Sequence, residues 1–294
     1  MEIRNIRTFI KVSEIGNFSR AAAALGYAQS TVTTQIQTLE QELQVELFER
    51  NGKRVCLSAA GVEFQRYAYE ILKCEEMAVE HFTNDKEPRG QIRIGVMESI
   101  CASRYMGIFK AFMKRFPEVC LTIVVATTLE CMDMLEKGTL DVILTLDKKV
   151  VRPYWETAHV LETKISFFCS SGHPFASKKE VTIDELTKES FIQVEEGCNY
   201  RKAFQQFLSG RGIVVRNVQE VGYTQMIIDS VVDNIGISLL PEFTLEDALR
   251  KEKIALLKVK DYSLSMWIQV IYSKNKWATP ALRAFLQMSK EYLV

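Results

Sequence analysis

Histidine is scarce in this chain, three among 294 residues, and His81, His159 and His173 are too scattered to suggest a metal site. There is no glycine-rich phosphate loop and no nucleophile elbow, so no catalytic residue, metal or cofactor is expected. Net charge is also missing. The 37 Lys and Arg balance 37 Asp and Glu, and bulk electrostatics therefore announce no nucleic-acid partner. Seven cysteines, at 56, 74, 101, 120, 131, 169 and 198, form an odd set without a CxxC pair, which speaks against a disulfide framework and a zinc ribbon. Most of them read as small buried hydrophobes. No apolar run approaches the roughly 18 residues of a membrane span, and Met1-Glu2-Ile3-Arg4-Asn5 carries no apolar signal region, so no membrane partner and a cytoplasmic location are expected. What the chain does have is 47% hydrophobic residues over more than one average domain length, enough for a sizeable core.

The densest pattern lies between Phe18 and Leu57. Residues 17–26 read as a short helix in which Ser19 suits the N-cap, four alanines permit close backbone approach, and Gly26 suits the stop. After a turn at Tyr27-Ala28, a second helix from Gln29 to Leu43 repeats apolar residues at Val32, Ile36, Leu39 and Leu43. Its opposite face carries Ser30, Thr34, Gln37 and Gln41, flanked by Thr33 and Thr38. Such a polar yet almost uncharged face is unusual for a solvated helix, where Lys and Glu are commoner and better helix formers than Thr. Gln pairs bidentately with adenine, Ser and Thr donate or accept, and a Thr methyl touches the thymine methyl in the major groove. The candidate base-reading residues are therefore Gln29, Ser30, Thr31, Thr33, Thr34 and Gln37.

Residues 47–57 then read as two short strands joined at Asn51-Gly52, a dipeptide favoured where turn residues need positive φ. Three cations cluster there, Arg50, Lys53 and Arg54, placed to contact phosphates beside the groove. The first 58 residues hold seven Lys or Arg against six Asp or Glu, so attraction to double-stranded DNA must come from placement rather than excess charge.

With these residues in view, the chain resembles the LysR-type transcriptional regulators. Phe9, Gly16, Phe18, Ala21-Ala22, Leu25, Gln29-Ser30, Val32-Thr33, Gln35-Ile36, Leu39-Glu40, Leu43, Leu47-Phe48 and Arg50 fall in the family's order and spacing. Two positions depart from it: the family often has Pro where Ser30 stands and Arg where Thr34 stands. Base contacts therefore carry over in location only. The resemblance implies a homodimer or homotetramer, a small-molecule effector and contact with RNA polymerase.

Beyond the hairpin, Ser58 suits the cap of a long helix in which Phe64, Tyr67, Ile71, Cys74, Ala78 and Phe82 recur every three or four residues, a coiled-coil seam. The resemblance makes this the dimerisation helix, and Asp85-Lys86-Glu87-Pro88-Arg89-Gly90 the hinge. From Gln91 strands alternate with helices: strands at 92–96, 119–126, 140–146, 165–170, 191–194, 214–221, 235–240 and 266–272, and helices at 102–116, 129–137, 200–208, 225–232 and 279–292. The expected fold is α/β with an N-terminal winged helix-turn-helix (1–58), a linker helix and hinge (59–89), and a two-lobed effector domain (90–294) resembling periplasmic binding proteins. Lobe I would take 90–161 and 266–294, and lobe II 162–265.

Ligands of open α/β sheets sit beyond the carboxyl ends of strands. That rule nominates Ser99, Ile100, Thr127, Thr128, Thr145, Glu196, Cys198, Thr224 and Pro241. Several of these open helices, whose N-H groups favour an anion, so a small carboxylate leads the effector classes. Glu98, Glu195 and Glu196 weigh against a simple anion and keep an amino acid or similar zwitterion open. Two rival functions remain: thiol redox sensing at Cys198, with Arg201 close in sequence and cysteines of this lobe used by peroxide-sensing relatives, and an enzyme built on the two-lobed domain.

Overall fold

The computed structural model describes residues 1–51, 54–83, 87–215, 218–274 and 278–293. Two compact units emerge, one formed by Met1–Lys86 with Lys137–Thr139 and a larger one by Glu87–Glu136 with Leu140–Val294.

The smaller unit opens with helix α1 (Ile3–Ile15), followed by α2 (Phe18–Leu25) and α3 (Gln29–Leu43). Both α1 and α2 stop at glycines, Gly16 and Gly26, that adopt the left-handed conformation a helix C-cap needs. The N-cap of α2 is Asn17, whose side chain accepts from the Arg20 N-H, and not Ser19. Ser19 lies two residues past the cap position; its hydroxyl reaches Gln29 instead, at 2.7 Å. Val32, Ile36 and Leu39 of α3 are buried, as their spacing requires, while Leu43 packs at the edge of the same core.

Strands β1 (Phe48–Asn51) and β2 (Arg54–Leu57) form an antiparallel hairpin. Asn51 pairs with Arg54, so Asn51 belongs to strand β1. Gly52 and Lys53 lie outside the described residues, as do the side chains of Arg50 and Arg54. Phe9 joins the pieces: its ring meets Phe48 of the hairpin at 5.3 Å and Phe64 of the next helix at 5.0 Å. That helix is α4 (Ala59–Thr83), and Ser58 caps it, accepting from the Gly61 N-H at 2.9 Å.

The seam read along α4 divides in two. Phe64 is buried, and Ile71 packs against the core of its own unit, whereas Tyr67, Cys74 and Ala78 are exposed. Phe64 and Ile71 are thus covered from within the chain. The side chain of Phe82 and residues 85 and 86 of the expected hinge lie outside the described residues.

The larger unit begins with β3 (Gly90–Val96), the single turn α5 (Glu98–Cys101) and a 3-10 turn before α6 (Gly107–Arg115). One helix over 102–116 is therefore not formed, because Ser103 accepts from the Tyr105 N-H and starts a separate turn. There follow β4 (Val119–Val125), α7 (Thr128–Glu136), β5 (Val142–Asp147), β6 (Trp155–Ser170), α8 (Ile183–Leu186), β7 (Phe191–Gln193), α9 (Asn199–Gly210), β8 (Val218–Glu220), α10 (Thr224–Val232), β9 (Ile237–Pro241), α11 (Glu242–Arg250), β10 (Ile254–Leu256), β11 (Leu264–Ser273) and α12 (Pro280–Tyr292).

The strands form one nine-stranded sheet, ordered β4-β3-β5-β11-β6-β9-β7-β8 with β10 beside β6. β4, β3 and β5 are parallel at one end, and β8, β7 and β9 are parallel at the other. Between them β6 and β11 run antiparallel to each other along most of their length. The lobe boundary expected near residue 161 therefore falls inside a continuous strand, and the crossovers are themselves part of the sheet. Phe109 and Phe112 of α6 pack on Phe285 of α12 in lobe I, and Phe167, Phe191, Phe204 and Tyr262 form the aromatic centre of lobe II.

A Cβ on Gly61 would lie 2.0 Å from the carbonyl oxygen of Leu47, so α4 can approach the hairpin only with glycine there. Gly61→Ala is expected to destabilise the protein by about 1–3 kcal/mol. Gly210→Ala, with nothing within 4 Å, should change stability by less than about 1 kcal/mol. Urea unfolding followed by circular dichroism compares them; equal stability of the two variants would contradict the close approach.

Candidate functional sites

On the smaller unit, Gln29, Ser30, Thr31, Thr34 and Gln37 are all exposed along one side of α3, and Thr33 is half-buried. The Thr33 hydroxyl donates to the Gln29 carbonyl at 3.0 Å, and the Thr38 hydroxyl to that of Thr34 at 2.9 Å. Their protons are thereby spent on the helix, leaving methyl groups and acceptor lone pairs for a partner. Ala28 occupies the N-cap without a side-chain hydrogen bond. Two positioning contacts escape a reading by periodicity. Ser19 donates to Gln29 Oε1 and orients the amide so that Nε2 remains a donor. Glu40 accepts from the Leu47 and Phe48 N-H groups at 2.8 and 3.4 Å, fixing the path from α3 into the hairpin.

On the larger unit, the carboxyl ends of β3, β4, β7 and β8 converge on a cavity of about 380 Å³ between the lobes. Of the residues expected to line it, Ser99, Thr127, Thr128 and Cys198 do. Ile100 and Thr145 do not; both are fully buried, Ile100 in the core and Thr145 in the middle of β5 opposite Gln269. Glu196 points to solvent, and Pro241 ends β9 in register with Ile165. Thr224 is buried beside the cavity with its polar groups engaged. Its hydroxyl donates to Glu98 at 2.5 Å and its N-H to the same carboxylate at 3.2 Å.

Glu98 follows β3 in lobe I and Thr224 opens α10 in lobe II, so this contact spans the cleft. A second contact crosses in the other direction. Asn199, at the start of α9, donates to the Thr128 hydroxyl at 2.9 Å and to the Leu146 carbonyl at 3.1 Å. The start of α7 is also satisfied, since Glu130 accepts from the N-H and hydroxyl of Thr127 at 2.9 and 2.8 Å. Those bonds hold the Glu130 carboxyl below its ordinary pKa. Of the helix starts expected to offer free N-H groups, Thr224 has its N-H and hydroxyl occupied by the Glu98 carboxylate, and at α7 a carboxylate takes those of the preceding Thr127.

Among the described residues, the cavity lining holds no Lys, Arg or His. Burial raises the Glu195 carboxyl above its ordinary pKa, and the neighbouring charges of Glu98 and Glu220 add to the effect. At Cys198 and Cys169, the two thiols weighed for redox sensing, burial disfavours the thiolate. Burial pushes Cys198 up to about 11 and Cys169 up to about 11, whereas a reactive cysteine needs thiolate. The Arg201 guanidinium does not serve Cys198; it binds the Val194 carbonyl at 2.5 Å and Glu220 at 2.7 Å. Among the described residues no cluster of His, Cys, Asp or Glu can hold a metal ion, and no helix is long and apolar enough to cross a membrane.

A helix with an uncharged reading face beside a hairpin, joined in one chain to a two-lobed α/β unit with a cavity at its strand ends, defines a ligand-responsive DNA-binding protein. The family models agree, matching the bacterial regulatory helix-turn-helix protein of the lysR family over residues 3–62 and the LysR substrate binding domain over 85–294. The chain belongs to the LysR family of transcriptional regulators. It is 32% identical over 292 residues, 99% of each chain, to the HTH-type transcriptional regulator YwqM of Bacillus subtilis. A full-length OxyR variant from Pseudomonas aeruginosa shares the fold with a TM-score of 0.78 at 19% identity, covering all of this chain and 94% of that one. CbnR, crystallised with its target DNA, superposes with a TM-score of 0.64 at 21% identity, covering 99% of this chain and all of that one.

Glu195 titrates at a higher pH folded than unfolded, so its contribution to stability is present at low pH and is lost as pH rises through the folded value. Glu195→Gln removes that loss. Its melting temperature is expected to gain on the wild type as pH goes from about 4 to about 7; a difference that stays constant with pH would contradict the burial of this carboxyl.

Proposed function

We propose that α3 reads double-stranded DNA in the major groove. In this reading Gln29, Ser30, Thr31, Thr34 and Gln37 face base edges, Thr33 offers its methyl, and Arg50, Lys53 and Arg54 of the hairpin contact phosphates. The observation that carries it is the exposed and uncharged side of α3, opposite a side buried at Val32, Ile36 and Leu39. The DNA-bound CbnR supports the same use of the fold.

The functional segments follow as 1–58 for DNA, 59–89 for linkage and 90–294 for the effector. The exposed stripe Tyr67, Cys74 and Ala78 of α4 is the surface offered to a second copy in a homodimer or dimer of dimers. The cavity between the lobes is the effector site, with Ser99, Thr127, Thr128, Cys198 and Asn199 around it and Thr224 at its edge. The effector acts through its different affinity for open and closed lobes, and so on promoter activity, with RNA polymerase as the downstream partner. The chain works as a regulator in the cytoplasm and not as an enzyme.

Base contacts and phosphate contacts separate in the test. Gln29→Ala and Ser30→Ala are expected to cost about 1–3 kcal/mol per lost base contact on the intergenic DNA beside the gene, with little loss on random DNA. Arg50→Ala and Arg54→Ala should weaken both DNAs alike and lower the salt slope by about one. Fluorescence anisotropy across a salt series measures both; equal losses on the two DNAs for all four variants would overturn the assignment.

A further inference from the structure

The cavity between the lobes has a chemical bias of its own. Its polar lining includes Glu98, Glu130 and Glu195 and, among the described residues, no cationic side chain. Two of the three carboxylates are committed, Glu130 to Thr127 and Glu98 to Thr224. Glu195 is met only by its own backbone N-H and by the charge of Arg201. The nearest cation, Arg201, is held by Val194 and Glu220. Glu195 is half-buried, with a carboxylate oxygen 3.7 Å from where a Cβ on Gly222 would lie.

Anion binding would need donors, and beside the cavity the N-H and hydroxyl of Thr127, before α7, and of Thr224, opening α10, are already taken by carboxylates. An anion entering here would meet like charge without compensation, which is costly in a partly desolvated site. A cation meets the reverse situation. It neutralises Glu195 and relieves the repulsion between Glu195 and Glu98.

The second feature is apolar. Tyr223 is 71% exposed and Val125 55% exposed, facing the cavity from opposite lobes. An aromatic face and aliphatic wall beside an unneutralised carboxylate form the usual surroundings of an organic ammonium. A volume of about 380 Å³ accommodates a small molecule of this kind.

We propose that the cleft takes a small organic cation, an amine or guanidine whose charged nitrogen sits against Glu195 and whose carbon skeleton packs between Val125 and Tyr223. This rests on the reading of the cavity as the effector site. Glu98 keeps its place at the head of α10 and adds its field to the same pole of the cavity.

The test uses the full-length protein and three five-carbon probes that differ only at their ends: 1,5-diaminopentane, 1,5-pentanediol and glutarate. Isothermal titration calorimetry is expected to show saturable binding of the diamine, binding of the diol weaker by about tenfold or more, and none of glutarate. Glu195→Gln should weaken the diamine by about tenfold or more, while Glu118→Gln, exposed and at the opposite end of β4 from the cavity, leaves it near wild type. Melting curves verify that each variant is folded. Glutarate binding tighter than the diamine, and lost in Asn199→Ala, would overturn the cationic ligand while keeping the cleft as the effector site. Diamine binding indifferent to both Glu195→Gln and Asn199→Ala would place the site elsewhere and overturn both readings. Absence of diamine binding overturns the proposal.

Discussion

The ligand-binding unit depends on one carboxylate. Glu98 leaves the end of β3 and seats itself on the first turn of α10, accepting from the N-H and hydroxyl of Thr224 in the opposite lobe. A helix start is a favourable place for negative charge because its N-H groups lack partners in the helix and its dipole is positive there. Asn199 does the converse, reaching from the head of α9 to Thr128 and Leu146. Each lobe therefore supplies one side chain that satisfies the other. The two bridges define the distance between the lobes, the volume enclosed and the sign of the charge left facing it.

This arrangement bears on regulation. The lobes are tied across the cleft by groups belonging to the chain, so an effector has only to bind one separation of the lobes better than another. β6 and β11 pass between the lobes as paired strands in one sheet, and any change in lobe separation has to be absorbed by twist or bending in these two strands. Val270 and Ile271, where the register between them shifts, mark one irregular point in that ladder.

Much of the fold was legible from local patterns. The bounds of α3, the Ser58 cap, the two-stranded hairpin and the alternation of strands with helices follow from spacing, caps and turn residues. Where legibility failed, the missing information was tertiary. The apolar face of α4 was visible at Phe64 and Ile71, but nothing in a periodic pattern says whether a partner or the chain itself covers it. Asn51-Gly52 announced a turn, yet Asn51 itself is paired in the strand ladder. At the cleft, strand-end positions led to Ser99, Thr127, Thr128 and Cys198, while Thr145 and Ile100 were misplaced because a position near a strand end does not fix which way a side chain points. Asn199 lay within the strand-end segment 195–199 expected near the cleft, but its bonds to Thr128 and Leu146 left no signal, since an Asn opening a helix looks like an ordinary helix start. Glu98 counted as an obstacle to an anion, and its bond to Thr224, 126 residues away, was beyond the reach of sequence spacing.

The central claim is that Glu98 caps α10 across the cleft, and amide hydrogen exchange at Thr224 reports on it directly. In Glu98→Ala the Thr224 amide is expected to exchange about tenfold faster than in the wild type, the loss of one charge-assisted hydrogen bond, while Val231 deeper in α10 keeps its protection. Unchanged exchange at Thr224 would contradict the bridge, and with it the tie between the lobes.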